Sequence, residues 1–507
     1  MTLFETVRAA LLLSGRRCVF SLKEAIRKSP LLLFYARKVR VLWALAALKV
    51  HTGKFAAYDG DLFSAYLDFC KKSGLLYSQL GVGVIDEKDL NTNDIDDRIE
   101  AIAFRFFAAH RNLFSKPAAS SASSKVGVLF TELYATGGHT PLVENLVYSL
   151  CGSYDLQIFC TRKTFTLVGD YRKKKDNLTD HFPINGVDWD GGAQSLAENV
   201  YQYYNQIVES GCGILFCYIH PHDVVTTATL ALIKKYTNIK IVDINIQDHF
   251  YSLGFKFAHL IIDARPAGQH LTRDIRGYHN TILMPPQKTS DKKTIFHSAE
   301  EKNALRASLG IQPGELFTLT GTADYKIFDN GKSPYLEMIK DLLLAEPKLK
   351  HVLMTELSVD GAQNIIDSIF TDKALAERFI IINRVAAYDL YMQACDFFID
   401  SFPQGGATIH IDMMRNKRPT VLKINKEMPL RSFEFYLPKD YAYQYAAIED
   451  MKAGILHLLH SPEEQERMAA ILHEHYKANY EYEVVLNKYK ALIENRDRLE
   501  SFYESQE

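Results

Sequence analysis

The chain has 507 residues, 47% of them hydrophobic and 24% charged, a normal globular balance at a length beyond one hydrophobic core, so two or three domains are expected. A formal net charge of -2 excludes a global basic field for holding nucleic acid. The seven cysteines, at 18, 70, 151, 160, 212, 217 and 395, are scattered and mostly set in apolar runs, which reads as reduced core thiols and a cytoplasmic setting.

Residues 1–50 hold ten Lys or Arg against Glu5 and Glu24, leaving the remainder of the chain near -10. Basic residues interleaved with Leu, Phe and Trp43 fit a helix lying on an anionic membrane surface. A docked helical domain with solvated basic residues fits equally, and no recognised module accompanies the charge to suggest nucleic acid. "AALLLSGRRCVF" places Arg16 and Arg17 inside what would be a secretory apolar stretch, and no run reaches the ~18 apolar residues of a membrane span. The expectation is a cytoplasmic protein, with peripheral contact at the inner face of a membrane as one of the two readings of residues 1–50.

Apolar residues recur at three and four in "LFSAYLDFCKKSGLLYSQL" and "IEAIAFRFFAAHRNLF", predicting an all-helical segment over 1–114. "SKPAASSASSK", 115–125, has no apolar face and reads as a linker. Beyond it, "KVGVLF", "DLQIFC", "GILFCYI", "IKIVDINI", "HLIIDA" and "NTILMPP" alternate with helical stretches, predicting a doubly wound parallel sheet over 126–290. A second series, "LFTLTGT", "HVLMTE", "FIIINRV", "FFID" and "PTVLK", predicts another Rossmann-like unit over 310–470, with C-terminal helices over 471–507 that pack back across both units.

Open sheets of this type bind ligands beyond the carboxyl ends of their strands. In the second unit "FFID" leads through "SFPQGGAT" into a helix. Free backbone N–H groups around Gly405 and Gly406 are expected to hold a pyrophosphate, with Thr408 adding a hydroxyl. Asp412, one turn on, suits the two hydroxyls of a ribose. Lys326 follows the unit's first strand, where an ammonium offsets charge on a leaving diphosphate, and Asn383, Arg384 and Val385 end a strand where backbone groups can pair with a base edge.

The stretch from Tyr391 to Lys423 resembles the donor-binding segment of GT-B glycosyltransferases, and is most similar to protein O-GlcNAc transferases and bacterial adhesin N-glycosyltransferases. Asp400, Phe402, Pro403, Gly405, Gly406, Thr408, Asp412 and Pro419 carry the likeness. Ala407 stands where the O-GlcNAc transferases commonly place a His. The resemblance implies an α/β GT-B fold, two tandem Rossmann-like domains here following an N-terminal all-helical domain, and a nucleoside-diphosphate sugar, UDP-sugar being the expected class. Retaining GT-B families carry two glutamates with seven residues between them across this loop, at the places of Gln404 and Asp412; the missing first carboxylate implies inversion.

In the first unit, "VLFTELYATGGHTPLVENLVYSL" resembles the acceptor-side glycine loop of such enzymes, with Gly137, Gly138, His139 and Thr140. "VDINIQDHFYSLGFKFAHLIIDAR" resembles an Asp-His segment of bacterial GT-B enzymes, putting Asp248 and His249 after a strand. Inverting transfer needs a base, for which His249 and His139 are candidates, with Asp248 either orienting an imidazole or serving itself. His220 and His222 end another strand and are expected to position substrate, since His-x-His alone is weak as a metal site. "DWDGG", 188–192, matches the metal-holding string of GT-A transferases but falls in the wrong unit, so neither metal nor cofactor is expected. The implied partner is a glycolipid, polysaccharide or protein acceptor bearing a hydroxyl, as in bacterial polysaccharide biosynthesis. A nucleotide-sugar 2-epimerase of the same fold and a non-catalytic scaffold are the alternatives.

Overall fold

A computed structural model describes residues 67, 93–117, 124–134, 139–162, 178–188, 195–246, 248, 252–287, 296–329, 331–359, 361–383, 388–426 and 431–501. The basic segment 1–50 lies outside the described residues. Two parallel sheets organise the rest. The first contains β1 (Val126–Phe130), β2 (Leu156–Cys160), β3 (Ile184–Gly186), β4 (Ile214–Tyr218), β5 (Lys240–Asn245), β6 (Leu260–Asp263) and β7 (Thr281–Leu283), in the order β3-β2-β1-β4-β5-β6-β7. The second contains β8 (Leu316–Gly321), β9 (Leu349–Met354), β10 (Phe379–Ile382), β11 (Phe397–Ile399), β12 (Thr420–Lys423) and β13 (Gln444–Tyr445), in the order β10-β9-β8-β11-β12-β13.

Every apolar run named above forms a strand. β1 and β4 are buried along their whole length, because helices cover both faces and leave no polar side for a period-two pattern to mark. β3 and β13 were not foreseen; at three and two residues they are too short to show a pattern. In each sheet the chain reverses its winding beside the first strand, between β1 and β4 and between β8 and β11. A crevice opens at each such switch point, and loops there can splay apart around a ligand.

Local signals set the helix ends. Ser195 and Glu198 form a capping box that opens the helix Leu196–Ser210, and Gly211 closes it in the left-handed conformation at φ 70°. A second capping box, Ser298 with Glu301, opens Ala299–Ser308, ahead of β8.

Packing crosses the expected domain boundaries at both ends. The helix Asn93–Ala109 precedes the linker, yet Ile99, Ala103 and Phe107 are buried in the same core as the helix Val224–Tyr236. Phe107 stacks on Tyr236 at 4.0 Å, and Asp96 accepts a hydrogen bond from the Gly254 N–H at 3.0 Å. The Ser/Ala linker interrupts the periodicity, whereas the apolar face before it still needs a partner and finds it on the first sheet's helices. At the other end, the helix Pro462–Asn479 runs unbroken through the expected boundary at 470/471, burying Met468, Leu472 and Tyr476 in the second domain's core. The crossing comes later: in the helix Tyr482–Glu494, Val485, Leu486, Tyr489, Leu492 and Ile493 join the core beneath the first sheet. The two C-terminal helices therefore join different cores, one in each unit. Among the described residues, no helix is long and apolar enough to cross a membrane.

Candidate active site

The carboxyl ends of the two sheets enclose a cleft of about 690 Å³ open to solvent. The first domain contributes residues at and beyond the ends of β5 and β6, including Asn245, Asp248 and Arg265; the second contributes Lys326, Gln404 and Thr408.

The loop after β11 is built around Asp400, which is buried. Its Oδ1 accepts from the N–H groups of Ser401 at 2.9 Å and Gly406 at 2.7 Å, and its Oδ2 lies 3.2 Å from His410 Nε2. The Gly405 N–H donates to the Arg431 carbonyl at 2.9 Å. The expectation that the N–H groups of Gly405 and Gly406 are free for a pyrophosphate is therefore corrected, because both are used to hold the loop. The glycines serve packing instead. A β-carbon on Gly405 would sit 2.7 Å from the Phe433 ring and 2.8 Å from Asp400, and one on Gly406 2.8 Å from Asp400. Ala407 and Thr408 line the cleft at the start of the helix Ile409–Arg415, whose first turn is already closed by the His410 N–H on the Ala407 carbonyl at 3.3 Å and the Ile411 N–H on the Thr408 carbonyl at 3.1 Å. Ala407 adopts a left-handed φ of 60°, which turns the chain into that helix at a cost a non-glycine residue rarely accepts.

Lys326 ends the short turn Asp324–Lys326 after β8. Asp324, buried, anchors that turn by accepting from the N–H of Val359 at 2.6 Å and the hydroxyl of Ser358 at 2.8 Å. The Lys326 ammonium donates to the Gly405 carbonyl at 3.0 Å and lies 5.8 Å from the centre of the Phe433 ring, while its own carbonyl accepts from the Gln404 N–H at 3.2 Å. Lysine and glycine loop, 79 residues apart in sequence, thus form one unit. Asp412 projects from the helix one turn on, half-buried, 3.7 Å from the Arg415 guanidinium, which also donates to Asp389 at 3.0 Å. Asn383 is exposed at the end of β10; Arg384 and Val385 lie outside the described residues.

In the first domain, Asp248 is held through both oxygens by Arg265, Nε to Oδ2 at 2.5 Å and Nη2 to Oδ1 at 2.7 Å. That fork occupies the carboxylate and weakens it as a proton acceptor, which fits the first of its two expected roles, orienting an imidazole, better than the second, serving as the base itself. His249, Gly137 and Gly138 lie outside the described residues. His139 and His220 meet at the switch point between β1 and β4, with ring centres 4.9 Å apart, and His222 lies 5.7 Å from His220. Burial pushes His139 down to about 4, only partly offset by the Glu132 backbone carbonyl. Burial, then His139 and His222, push His220 well below its usual range, so its 3.4 Å approach to Glu132 is that of a neutral imidazole. Thr140 does not face the cleft: it is buried, and its hydroxyl oxygen accepts the Tyr134 N–H at 2.6 Å to close its own turn.

Sequence reasoning missed Glu132, Tyr134 and Arg162. Glu132 accepts from Arg162 at 2.8 Å and from the Tyr134 hydroxyl, and Tyr134 stacks on His220 with centroids 5.5 Å apart. Glu132 follows β1 directly, so a charged residue just past an apolar strand was an available signal. Arg265 after β6 gave the same signal. Asp188 pairs through its backbone with Arg162, and Asp190 lies outside the described residues. Among the described residues, no three His, Cys, Asp or Glu side chains are grouped to hold a metal ion.

No protein-family model matches the chain, and no curated protein matches its sequence. Solved structures match its fold. A glycosyltransferase from Rickettsia africae aligns with a TM-score of 0.56 at 11% identity, covering 73% of this chain and 98% of that one. Anabaena HepE in complex with UDP aligns at 0.56 and 12% identity, covering 73% and 99%. The catalytic domain of starch synthase IV from Arabidopsis thaliana, bound to ADP and acarbose, aligns at 0.51 and 13% identity, covering 75% and 100%. With two parallel Rossmann-like sheets facing each other across one cleft, the chain has the α/β GT-B fold.

Proposed function

We propose that the protein is a glycosyltransferase that moves a sugar from a nucleoside-diphosphate sugar, of the UDP class, to a hydroxyl of a glycolipid, polysaccharide or protein acceptor, with inversion at the anomeric carbon. The observation that carries this reading is the convergence in one cleft of Lys326 and Thr408 from one domain with the Asp248–Arg265 pair from the other. The ligands named for HepE, UDP and UDP-glucose, and the local resemblance to the O-GlcNAc and adhesin transferases support it.

In the reaction, the acceptor oxygen forms a bond to the anomeric carbon as the bond from that carbon to the diphosphate oxygen breaks. Lys326 and the cleft-lining residues Ala407 and Thr408, through backbone N–H groups and the Thr408 hydroxyl, receive the charge growing on the leaving diphosphate, and Asp412 holds the ribose. Gln404 lines the cleft with a carboxamide, which cannot act as a nucleophile, so a single displacement is favoured. The acceptor proton passes to a histidine of the first domain. His249, beside the fixed Asp248, takes that role ahead of His139, whose burial makes it a weak base.

Calorimetry with nucleoside diphosphates and their sugars, on the wild type and Lys326→Ala, tests the reading. Micromolar to millimolar binding of a nucleoside diphosphate is expected, with turnover falling ~100-fold or more in the variant, in line with the loss of one group aimed at developing charge. Wild-type protein that binds no nucleoside diphosphate, or a variant with full turnover, refutes it.

A further inference from the structure

Arg265 does more than pair with Asp248. Its third guanidinium contact crosses the cleft: Nη1 donates to the Ser432 carbonyl of the second domain at 2.7 Å. Its Cζ lies 4.2 Å from the centre of the Phe433 ring, a cation–π contact strengthened by burial, the residue being 2% exposed. Phe433 in turn packs against Gly405, where even one β-carbon would come within 2.7 Å. The neighbouring Arg431 carbonyl receives the Gly405 N–H, and the Gly405 carbonyl receives Lys326. On its other side Asp248 is walled by Gly268, where a β-carbon would lie 2.6 Å from the carboxylate. A continuous chain of contacts therefore runs from the segment carrying Asp248, through Arg265, Ser432 and Phe433, to the glycine loop and Lys326.

We propose that Arg265 is a positioning residue that sets the acceptor-side segment ending at Asp248 in register with the donor loop, so that closing the cleft and aligning the two reactants are one event. This rests on the sugar-transfer reading above. The geometry demands arginine. A planar fork meets both oxygens of Asp248 while its remaining edge reaches Ser432 and its face covers Phe433; an ammonium on a flexible stem cannot make all three contacts at once. The donor-loop contacts, Lys326 to Gly405 and Asp400 to Gly406, lie within the second domain and do not involve Arg265, so nucleotide affinity and turnover should separate.

The test uses the full chain. UDP or the best-binding nucleoside diphosphate is titrated to count competent sites, turnover is measured per competent site, and small-angle scattering of unliganded protein reports domain separation. Arg265→Ala should bind nucleotide within about threefold of wild type, lose ~100-fold or more in turnover per site, and show a larger radius of gyration. Arg265→Lys should recover less than about a tenth of the lost turnover. Wild-type turnover per competent site in Arg265→Ala, or an unchanged radius of gyration, overturns the proposal, since a purely structural role lowers the number of competent sites and not the rate at each. If Arg265→Ala does not fold, Phe433→Leu keeps the hydrogen bond to Ser432 and removes the stacked ring. About tenfold slower turnover with a wider scattering profile is then expected, and no change in either is fatal. A wild-type protein that binds no nucleotide refutes the sugar-transfer reading, while the scattering comparison still decides the coupling.

Discussion

Replacing Asp400 separates the organisation of the glycine loop from the chemistry proposed beside it. The residue is 1% exposed, and its carboxylate accepts two backbone N–H groups at 2.7 and 2.9 Å, with His410 Nε2 a further 3.2 Å contact. Alanine leaves both N–H groups without an acceptor in a place closed to solvent, at roughly 1–3 kcal/mol each, and such losses within one network overlap, giving about 3 kcal/mol in total. At ~2–4 °C per kcal/mol for a unit of this size, Asp400→Ala should melt about 6–12 °C below wild type. Nucleotide affinity should fall ~10- to 100-fold, because the position of Thr408 in the cleft and the Lys326 contact with Gly405 both depend on the loop's path. Asp400→Asn keeps a carbonyl oxygen for the two N–H groups and only obliges His410 Nε2 to accept instead of donate, so about 1 kcal/mol and a melting shift of about 2–4 °C are expected. Differential scanning calorimetry with nucleotide titration measures both quantities. If Asp400→Ala melts within 2 °C of wild type, or binds nucleotide equally well, the carboxylate does not organise the loop and the reasoning fails.

Asp412 offers the opposite pattern. It is half-buried, and its 3.7 Å ion pair with Arg415 is worth ~0–1 kcal/mol. Asp412→Ala should melt within about 2 °C of wild type yet bind nucleoside diphosphate ~10- to 100-fold more weakly, the loss of a hydrogen-bonded pair to a charged group; equal losses for nucleotide and for free base would rule out the ribose contact. The pH dependence of stability follows from buried histidines. His351 lies between the Thr318 hydroxyl at 2.9 Å and the Tyr335 hydroxyl at 2.8 Å, and burial pushes it down to about 3. Between that value and the ordinary 6.5 the unfolded chain holds a proton the folded chain does not, so stability is complete above 6.5 and is lost as pH falls. At pH 5 His351 alone removes about 2 kcal/mol, and His139 acts in the same direction. Urea unfolding at pH 7, 6 and 5 should show that decline, and His351→Gln should flatten it by about one proton; a wild-type profile flat over this range would contradict the burial argument.

The sequence by itself determined the architecture, because a parallel strand buried on both faces leaves an unbroken apolar run that alternates visibly with helical periodicity. It also placed Lys326 and the glycine loop after strands and Asp412 one turn into the following helix, since strand-turn-helix junctions are local objects written in consecutive residues. It misjudged what the glycines are for. Whether the N–H of Gly406 faces a ligand or Asp400 depends on a carboxylate six residues away that only folding brings underneath it. Arg265 remained hidden for the same reason: its partners are 17 residues back, at Asp248, and 167 residues on, at Ser432. The domain boundaries near 115 and 470 follow a similar logic. Linkers and helices can be read along the chain, but which core an apolar face joins is decided by the surface that meets it, and here the helix Asn93–Ala109 and the helix Tyr482–Glu494 both complete the first sheet. Tertiary structure alone set the two strand ends against each other across one cleft, because no local pattern records a contact between residues that only the finished fold makes neighbours.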